Sequence, residues 1–230
     1  MPAQLLRLEA APDLVDRVYR ALAEAICDGS LAPGQRITQE DIAQQLAVSR
    51  QPVLQALRLL KKDGFVQDAP GRGLQVAPLD PQATRHIYQV RGALDALAAR
   101  LAAQSRFRMD PALIAAGRAA VRGENVAAMI EADLAFHAAL YAAAGNPLIV
   151  QSAQLHWQHL KRAMGAVLQQ MGQRDAVWDE HEAIARSIAE GDGATAARLI
   201  EEHSLHAGEA LGERLSQVLN TPTPDPRRHP

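Results

Sequence analysis

The stretch AVSRQPVLQALRLLKKDGF, residues 47–65, decides how the N-terminal part of the chain folds. Ser49 is a residue type that caps helix N-termini, and Pro52 falls in the first helical turn, where proline is tolerated. Gly64 marks the end of the helix. Between these signals an apolar stripe repeats at the helical spacing and consists of Val53, Leu57 and Leu60. The stretch therefore predicts one helix with a buried face.

A second, shorter helix is predicted immediately before this one. Thr38 can cap it, and Asp41 occupies the reciprocal position of a capping box. Because only a tight turn separates the two helices, the pair predicts a helix-turn-helix. Residues 13–28 carry apolar side chains at helical spacing before the Gly- and Pro-containing stop DGSLAPG, and they predict one more helix upstream.

Short runs of alternating apolar residues flank APGRG in the stretch FVQDAPGRGLQVAPL, residues 65–79. Such alternation around a Gly-rich turn predicts a two-stranded hairpin, and the order helix, helix-turn-helix, hairpin is that of a winged helix. Beyond it the sequence predicts only helices, over residues 81–104, 111–121, 126–144, 147–170, 175–190 and 194–219. The first of these presents an apolar face formed by Ile87, Val90, Leu94, Leu97 and Leu101.

The predicted fold is therefore mostly α. An N-terminal winged helix-turn-helix covers residues 1–78, an all-α helical bundle covers residues 79–219, and the proline-rich tail, residues 220–230, is predicted to be disordered. The distribution of charge and histidine supports the first boundary. Residues 1–78 hold nine Lys or Arg, nine Asp or Glu and no histidine, whereas all eight histidines lie beyond residue 80.

The overall composition excludes several classes of protein. A hydrophobic fraction of 48% and a charged fraction of 22% are typical of a globular protein and not of a disordered or fibrous chain. The net charge of -2 argues against indiscriminate binding to polyanions but permits a local basic surface. We expect a cytoplasmic protein with no membrane partner, because no apolar run approaches the length that crosses a bilayer and the N-terminus lacks a leader pattern.

The second helix of the predicted helix-turn-helix carries a local excess of positive charge. Its basic residues, with no acidic residue among them, are Arg50, Arg58, Lys61 and Lys62. A recognition helix inserts its N-terminal residues into the major groove of DNA. Arg50 can present a bidentate fork to a guanine edge, and Gln51 can pair with adenine or a phosphate. Lys61 and Lys62 have the alternative role of complementing the helix dipole.

The tip of the predicted hairpin is a further candidate for contact with DNA. Arg72 precedes Gly73 there, and an arginine in such a position can enter an adjacent minor groove or contact the backbone. The predicted DNA-contacting residues are Ser49, Arg50, Gln51, Arg58, Arg72 and Gly73.

Asp133 and His137 lie one turn apart on the face of the helix 126–144 that is expected to point inward. His181 and His203 lie on the apolar stripes of two later helices. Buried ionisable groups are costly unless they are paired or coordinated, and one divalent cation would satisfy all four side chains. Imidazole with carboxylate suits zinc first, and also nickel, iron or manganese, better than calcium or magnesium. The alternative is a set of separately satisfied core histidines.

Residues 25–66, AICDGSLAPGQRITQEDIAQQLAVSRQPVLQALRLLKKDGFV, followed by GRGLQV, resemble the winged-helix domain of GntR-type bacterial transcription regulators. The resemblance implies that Arg50 reads a base and that Arg72, at the wing tip, reaches the minor groove. The family commonly has a second arginine after the Pro-Val pair, and here that position is Leu54. We therefore expect the base readout to be shifted or relaxed.

The segments DLAFHAALYAAAGNP, residues 133–147, and DEHEAIARSIAEGDGATAARLIEEH, residues 179–203, resemble the FCD ligand-binding domain of the FadR subfamily of GntR regulators. The resemblance implies a metal site formed by Asp133, His137, His181 and His203. Family members commonly bind small carboxylates at or beside the metal, so a small organic acid is the expected effector. Arg91 matches an arginine that can hold a carboxylate, although a surface pair with Asp95 is its alternative. Arg162 is a second candidate for the same cavity.

These features together predict a ligand-responsive bacterial transcription regulator, acting as a repressor, that binds operator DNA as a homodimer. An effector would bias the spacing of two winged helices across a palindromic site. Two alternatives use the same metal site: a metal-dependent hydrolase-type enzyme, or a metal that only staples the bundle. The enzyme is disfavoured because the sequence offers no convincing general base, nucleotide-binding loop or nucleophile motif.

Overall fold

The computed structural model describes residues 14–168 and 175–220 of the chain. The chain divides into two compact units, with the boundary between residues 78 and 79. Helices make up most of both units. The mostly α class predicted from the sequence is confirmed. The tail predicted beyond Asn220 and the last two residues of the helix predicted over 147–170 lie outside the described residues.

The first unit is a winged helix. Its elements in chain order are α1 Leu14–Cys27, β1 Arg36–Ile37, α2 Gln39–Gln45, α3 Arg50–Lys62, β2 Val66–Asp68 and β3 Leu74–Val76. The strands form an antiparallel sheet in the order β1-β3-β2, with Arg36 opposite Gln75 and Val66 opposite Val76. The predicted two-stranded hairpin is present as β2 and β3. The additional strand β1 was not predicted, because a strand of two residues is too short for its alternation to be recognised in the sequence.

The two helices of the helix-turn-helix begin in different ways. Thr38 caps α2, because its hydroxyl oxygen accepts a hydrogen bond from the Asp41 backbone N–H at 3.1 Å and its hydroxyl donates to the Asp41 carboxylate at 2.7 Å. Ser49 occupies the N-cap position of α3 as predicted, but its side chain makes no capping hydrogen bond. Pro52, the third helical residue, has no N–H to donate to it.

The core of the winged helix lies between α1 and α3. The predicted stripe on α3 is fully buried and consists of Val53, Leu57 and Leu60. The buried side chains that α1 contributes are Val18, Leu22, Ala23 and Ile26. Because this face of α3 is committed to the core, the opposite face, with Arg50, Gln51 and Arg58, is exposed.

The second unit is an all-α bundle. Its elements are α4 Pro81–Gln104, α5 Pro111–Arg122, α6 Val126–Ala144, α7 Pro147–Val167, α8 Asp175–Glu190 and α9 Gly193–Asn220. Five of these helices begin at a side chain that accepts a backbone hydrogen bond, and the capping residues are Asp80, Asp110, Asn125, Asn146 and Asp192. The predicted helices thus begin and end close to their observed bounds, because caps and breakers are local signals.

The inward face of α4 differs from the predicted apolar stripe. Val90 is 51% exposed and Leu97 is 39% exposed. The residues that α4 buries are instead Thr84, Tyr88, Arg91, Gly92, Asp95, Ala96, Ala98, Ala99, Ala102 and Ala103. The predicted stripe is thus wrong for Val90 and Leu97, whereas its other three residues are partly buried against the core. Apolar periodicity assigns charged residues to the solvent side, but here an ion pair and small alanines face the packed helices α6 and α9.

Helix α6 is long and apolar enough to cross a membrane by length and composition, and it is the one such helix in the described part of the chain. The prediction that no apolar run approaches this length is therefore wrong. In the fold α6 packs against α4, α5 and α7. It contributes Ile130, Phe136 and Leu140 to the buried core and carries Asp133 and His137, so it is a core helix of the bundle.

Candidate metal centre and nucleic-acid interface

The structure brings the four predicted metal ligands together inside the helical bundle. The four residues are Asp133, His137, His181 and His203. One donor atom from each lies within 4.8 Å of the donor atoms of the others. They come from α6, α8 and α9, and all three imidazoles are buried. Because donor atoms about 2.0–2.2 Å from one ion lie at most roughly 4.4 Å apart, small side-chain movements would complete a coordination shell.

His181 provides the clearest test of whether these residues fit a metal ion. It is fully buried, and neither of its ring nitrogens has a hydrogen-bond partner among the described residues. Its Nε2 lies 3.5 Å from Oδ1 of Asp133. The ring packs against Phe136 and Trp178, with centroid distances of 4.2 and 4.7 Å. An unpaired buried imidazole is costly, and a cation shared with Asp133 would remove that cost, so the residues fit a transition metal.

His203 is oriented by a carboxylate that the sequence analysis missed. Its Nδ1 lies 2.7 Å from Oε2 of Glu180, which belongs to α8. A histidine that binds a metal characteristically donates its other ring N–H to a carboxylate. Donation from Nδ1 to Glu180 leaves Nε2 of His203 as the nitrogen with a lone pair. The position of Glu180 directly before His181 was a signal, but only the packing of α8 against α9 shows which histidine it contacts.

Two of the imidazoles are held neutral. Burial lowers the pKa of His137, and the nearby Arg91 guanidinium lowers it further. Burial also lowers the pKa of His181 well below its usual range, and the neighbouring His203 and His137 add to the effect. A neutral imidazole keeps the lone pair that a metal ion needs.

Arg91, the predicted effector-binding arginine, is buried in a network beside the metal ligands. Its Nε donates to Oδ2 of Asp95 at 3.0 Å, and the two side chains are 1% and 0% exposed. The Asp95 carboxylate also accepts hydrogen bonds from the hydroxyls of Tyr141 and Ser204. The alternative of a surface pair is thus right about the partner, Asp95, and wrong about the exposure, because α6 and α9 cover both side chains. Sequence reasoning missed Tyr141 and Ser204.

Arg91 also contacts one of the metal ligands directly. Its Nη2 donates to Nε2 of His137 at 2.8 Å, and its Cζ lies 4.1 Å from the centroid of Trp157. Its Nη1 is buried without a hydrogen-bond partner in the described part of the chain. Although burial opposes ionisation, Asp95 holds the pKa of Arg91 above its usual range. The guanidinium therefore remains charged inside the bundle.

The space beside the metal ligands is small. A cavity of about 20 Å³ borders Asp133 and is otherwise lined by apolar side chains, including Met164 and Trp178. This volume is enough for about one water molecule, so an organic acid can reach the metal ligands only if the surrounding side chains move. Arg162 is buried on α7 but is not among the lining residues of this cavity, so its effector role stays a prediction.

A larger apolar groove lies between α6 and α7. Its volume is about 480 Å³, which is within the range of small-molecule sites. Two of its lining residues also contact the arginine network, because Tyr141 donates to Asp95 and Trp157 packs against Arg91.

In the winged helix, the predicted DNA-contacting residues form an exposed set. Ser49, Arg50, Gln51, Arg58, Arg72 and Gly73 are all exposed. Arg50 pairs with Glu40 of α2, a partner that the sequence analysis did not identify. Lys61 pairs with Asp68 at 2.7 Å.

The wing tip is held by an arginine outside the hairpin. Arg36 donates to the carbonyl oxygens of Arg72, at 3.1 Å, and of Pro70, at 2.6 Å. Gly71 and Gly73 have φ of +91° and +94°, which favours glycine, and they form the turn around Arg72. Arg36 was missed because its role depends on β1 pairing with β3.

Two family models match the chain, one in each unit. The model described as "Bacterial regulatory proteins, gntR family" matches residues 14–76. The model described as "FCD domain" matches residues 86–206, which is more than half of the chain.

Curated relatives and solved structures agree with these matches. The chain is 35% identical over 83 residues to the uncharacterized HTH-type transcriptional regulator YdhC of Bacillus subtilis, a match that covers 36% of this chain and 37% of the relative. It is 34% identical over 118 residues to an uncharacterized HTH-type transcriptional regulator of Agrobacterium vitis, covering 51% of this chain and 66% of the relative. The matches thus span about one third and just under two thirds of those proteins.

Among solved structures, E. coli McbR/YncC superposes with a TM-score of 0.72 at 18% identity, over 88% of this chain and 98% of that chain. At this identity the likeness shows the fold alone. Together with the two family models, it accounts for both units. The chain belongs to the gntR family of bacterial regulatory proteins, and an FCD domain forms its helical unit.

Proposed function

We propose that this protein is a cytoplasmic transcription repressor that binds operator DNA through the winged helix and responds to a small organic acid. The observation that carries the proposal is the cluster of one partly buried carboxylate and three buried imidazoles inside an FCD domain. We propose regulation and not catalysis, because the matched N-terminal model describes regulatory proteins.

The exposed face of α3 supports DNA binding. Its N-terminal residues Arg50 and Gln51 stand where a recognition helix meets base edges. Arg50 is engaged by Glu40, but both side chains are about two-thirds exposed, at 66% and 70%. Exposed ion pairs contribute only about 0–1 kcal/mol, so a guanine or a phosphate can replace Glu40 as the partner of Arg50. Two copies of the chain would present two such helices to a palindromic site.

The helical unit supports metal and effector binding. The metal would be held by Asp133, His137, His181 and His203, with zinc as the first candidate. When bound, the metal would supply a Lewis-acidic centre that attracts the carboxylate of the effector. Arg91 offers the unpaired Nη1 donor next to this centre, which can complete the recognition of a carboxylate. An effector can switch the protein only if it binds the DNA-competent and DNA-incompetent arrangements with different affinity.

The DNA-binding part of the proposal is tested with the Arg50→Ala variant. We expect the wild-type protein to bind its own upstream DNA specifically, and the variant to lose roughly ten- to a hundredfold in affinity for that DNA. Arg20→Ala is the matched control, because Arg20 is an exposed arginine of the same unit on α1. Fluorescence anisotropy at fixed salt measures both. Retained specific binding by Arg50→Ala would remove the base-reading role of Arg50.

The metal and effector part is tested by metal analysis of the purified protein and by melting curves with a panel of small organic acids. We expect bound metal and acid-dependent stabilisation in the wild type, and loss of both in His181→Ala. His206→Ala is the matched control, because His206 is an exposed histidine outside the cluster. Wild-type protein that neither retains nor takes up a transition metal would refute the site.

A further inference from the structure

The contact between Arg91 and His137 fixes the protonation of the histidine. A guanidinium has only donors, so Nη2 of Arg91 must be the donor at 2.8 Å and Nε2 of His137 the acceptor. A neutral imidazole that accepts at Nε2 carries its hydrogen at Nδ1. Nδ1 of His137 lies 3.4 Å from Oδ2 of Asp95 and makes no hydrogen bond within the described part of the chain, so the nearby negative charge is what favours a hydrogen on Nδ1.

This arrangement leaves His137 with nothing to offer a metal ion. A neutral imidazole has one lone pair, and Arg91 occupies it. Neither ring nitrogen of His137 can therefore coordinate a metal ion in this arrangement, because Nδ1 carries the hydrogen and the lone pair of Nε2 accepts the hydrogen bond from Arg91. A divalent ion at His137 would also stand next to a buried cation, where repulsion is strong in the low local dielectric. The metal ion and the Arg91 contact therefore exclude each other at His137.

We propose that Arg91 is a competitor of the metal ion, built into the site, and that the two cations alternate on the lone pair of His137. This inference rests on the proposed metal-binding function and adds a role for Arg91 that precedes effector binding. When the metal ion binds, the guanidinium gives up His137 but keeps Asp95, which bonds to Nε and not to Nη2.

The release of Arg91 from His137 would couple the binding of the metal ion to the binding of an anion. Arg91 has one unpaired terminal nitrogen, Nη1, before the exchange, and Nη2 joins it afterwards. Both then form a free fork next to a divalent cation, which is an arrangement that a carboxylate can satisfy with two hydrogen bonds. Metal loading and carboxylate binding would therefore favour each other, and the coupling is reciprocal.

The test is the zinc affinity of Arg91→Met, measured by competition with a chromophoric chelator. Methionine keeps much of the side-chain volume and removes both the charge and the donors. Because a hydrogen bond from a charged group is lost only in the wild type on metal binding, we expect Arg91→Met to bind zinc roughly ten- to a hundredfold more tightly. Arg100→Met is the matched control on the same helix, where Arg100 is exposed, and its zinc affinity should equal that of the wild type.

A second variant keeps the test informative if Arg91→Met does not fold. Arg91→Met leaves Asp95 buried and unpaired, so the double variant Arg91→Met with Asp95→Asn removes both charges and should also bind zinc more tightly than the wild type. Equal or weaker zinc binding by folded Arg91→Met and by the double variant would overturn the competition while leaving the metal site intact. Wild-type protein that binds no zinc would overturn the proposed site and this inference with it.

An independent measurement concerns the wild type alone. Nitrogen NMR of the metal-free protein should show His137 as the Nδ1–H tautomer, and zinc should change the signals of the Arg91 guanidinium. A neutral His137 protonated at Nε2 would overturn the inference, because Arg91 could not then donate to it.

Discussion

Two arginine–carboxylate pairs, one in each unit of the chain, lie in opposite environments. In the winged helix, Arg50 and Glu40 are 66% and 70% exposed and bridge neighbouring helices at the surface. In the helical unit, Arg91 and Asp95 are 1% and 0% exposed and lie under α6 and α9. Separating an exposed ion pair costs little free energy, whereas removing one partner of a buried pair destabilises the fold strongly, because it leaves the other charge buried without compensation. The first therefore suits an arginine that changes partners on DNA, and the second suits one that must stay charged inside the bundle.

The largest expected effect comes from breaking the buried pair. Asp95→Ala leaves the Arg91 charge buried without its carboxylate, so we expect the helical unit to lose about 3–5 kcal/mol of unfolding free energy. Glu40→Ala opens the exposed pair and should cost less than about 1 kcal/mol. Urea unfolding followed by tryptophan fluorescence reports on the helical unit, because the chain has two tryptophans, Trp157 and Trp178, and both belong to it. The unfolding of the Glu40→Ala variant, which alters the winged helix, is followed by circular dichroism. Similar losses in the two variants would contradict the comparison.

A second expected effect concerns the carboxylate behind His203. Glu180→Gln removes the anionic acceptor from Nδ1 of His203, and we expect zinc to bind roughly ten- to a hundredfold more weakly. Glu182→Gln is the control on the same helix, because Glu182 is paired with Arg118 away from the cluster. Zinc titration with a competing chelator measures both variants. Equal affinities would show that Glu180 does not support the metal ligand.

A third expected effect concerns packing behind His181. A methyl group added at Gly117 of α5 would come within 1.9 Å of the Trp178 ring, which itself packs on His181. Gly117→Ala should therefore cost about 1–3 kcal/mol of stability. Gly165→Ala is the matched control, because a methyl there meets nothing within 4 Å and should be neutral or stabilising by up to about 1 kcal/mol. Urea unfolding measures the free energies of unfolding of both variants. A Gly117→Ala variant as stable as the wild type would show that α5 and α8 shift apart easily.

The smallest expected effect concerns the exposed wing. Arg36→Met removes the two hydrogen bonds to the carbonyl oxygens of Pro70 and Arg72. We expect stability to change by no more than about 0.5 kcal/mol, and operator affinity to fall roughly two- to tenfold because Arg72 is held less firmly. Arg20→Met serves as the surface control on α1. Anisotropy titrations with operator DNA measure the change, and an affinity equal to the control would remove the bracing role of Arg36.

The separation of two interacting residues along the chain explains which features could be predicted from the sequence. Helix starts such as Thr38 and Asn146 are recognisable because a cap acts within three residues of itself. The inward position of His137 follows from the spacing within α6. By contrast, Tyr141 and Ser204 meet Asp95 across 46 and 109 residues of chain, and no local pattern encodes those distances.

Local sequence signals specify the order of the helices, the winged helix and the faces that carry the four candidate metal ligands, because turns, caps and periodicity depend on residues a few positions apart. Tertiary packing buries the Arg91–Asp95 pair, brings Glu180 to Nδ1 of His203 and places the Arg91 guanidinium against Nε2 of His137. Burial depends on which distant helices cover a face, and a charge is kept inside only where those helices bring the partners that offset its desolvation.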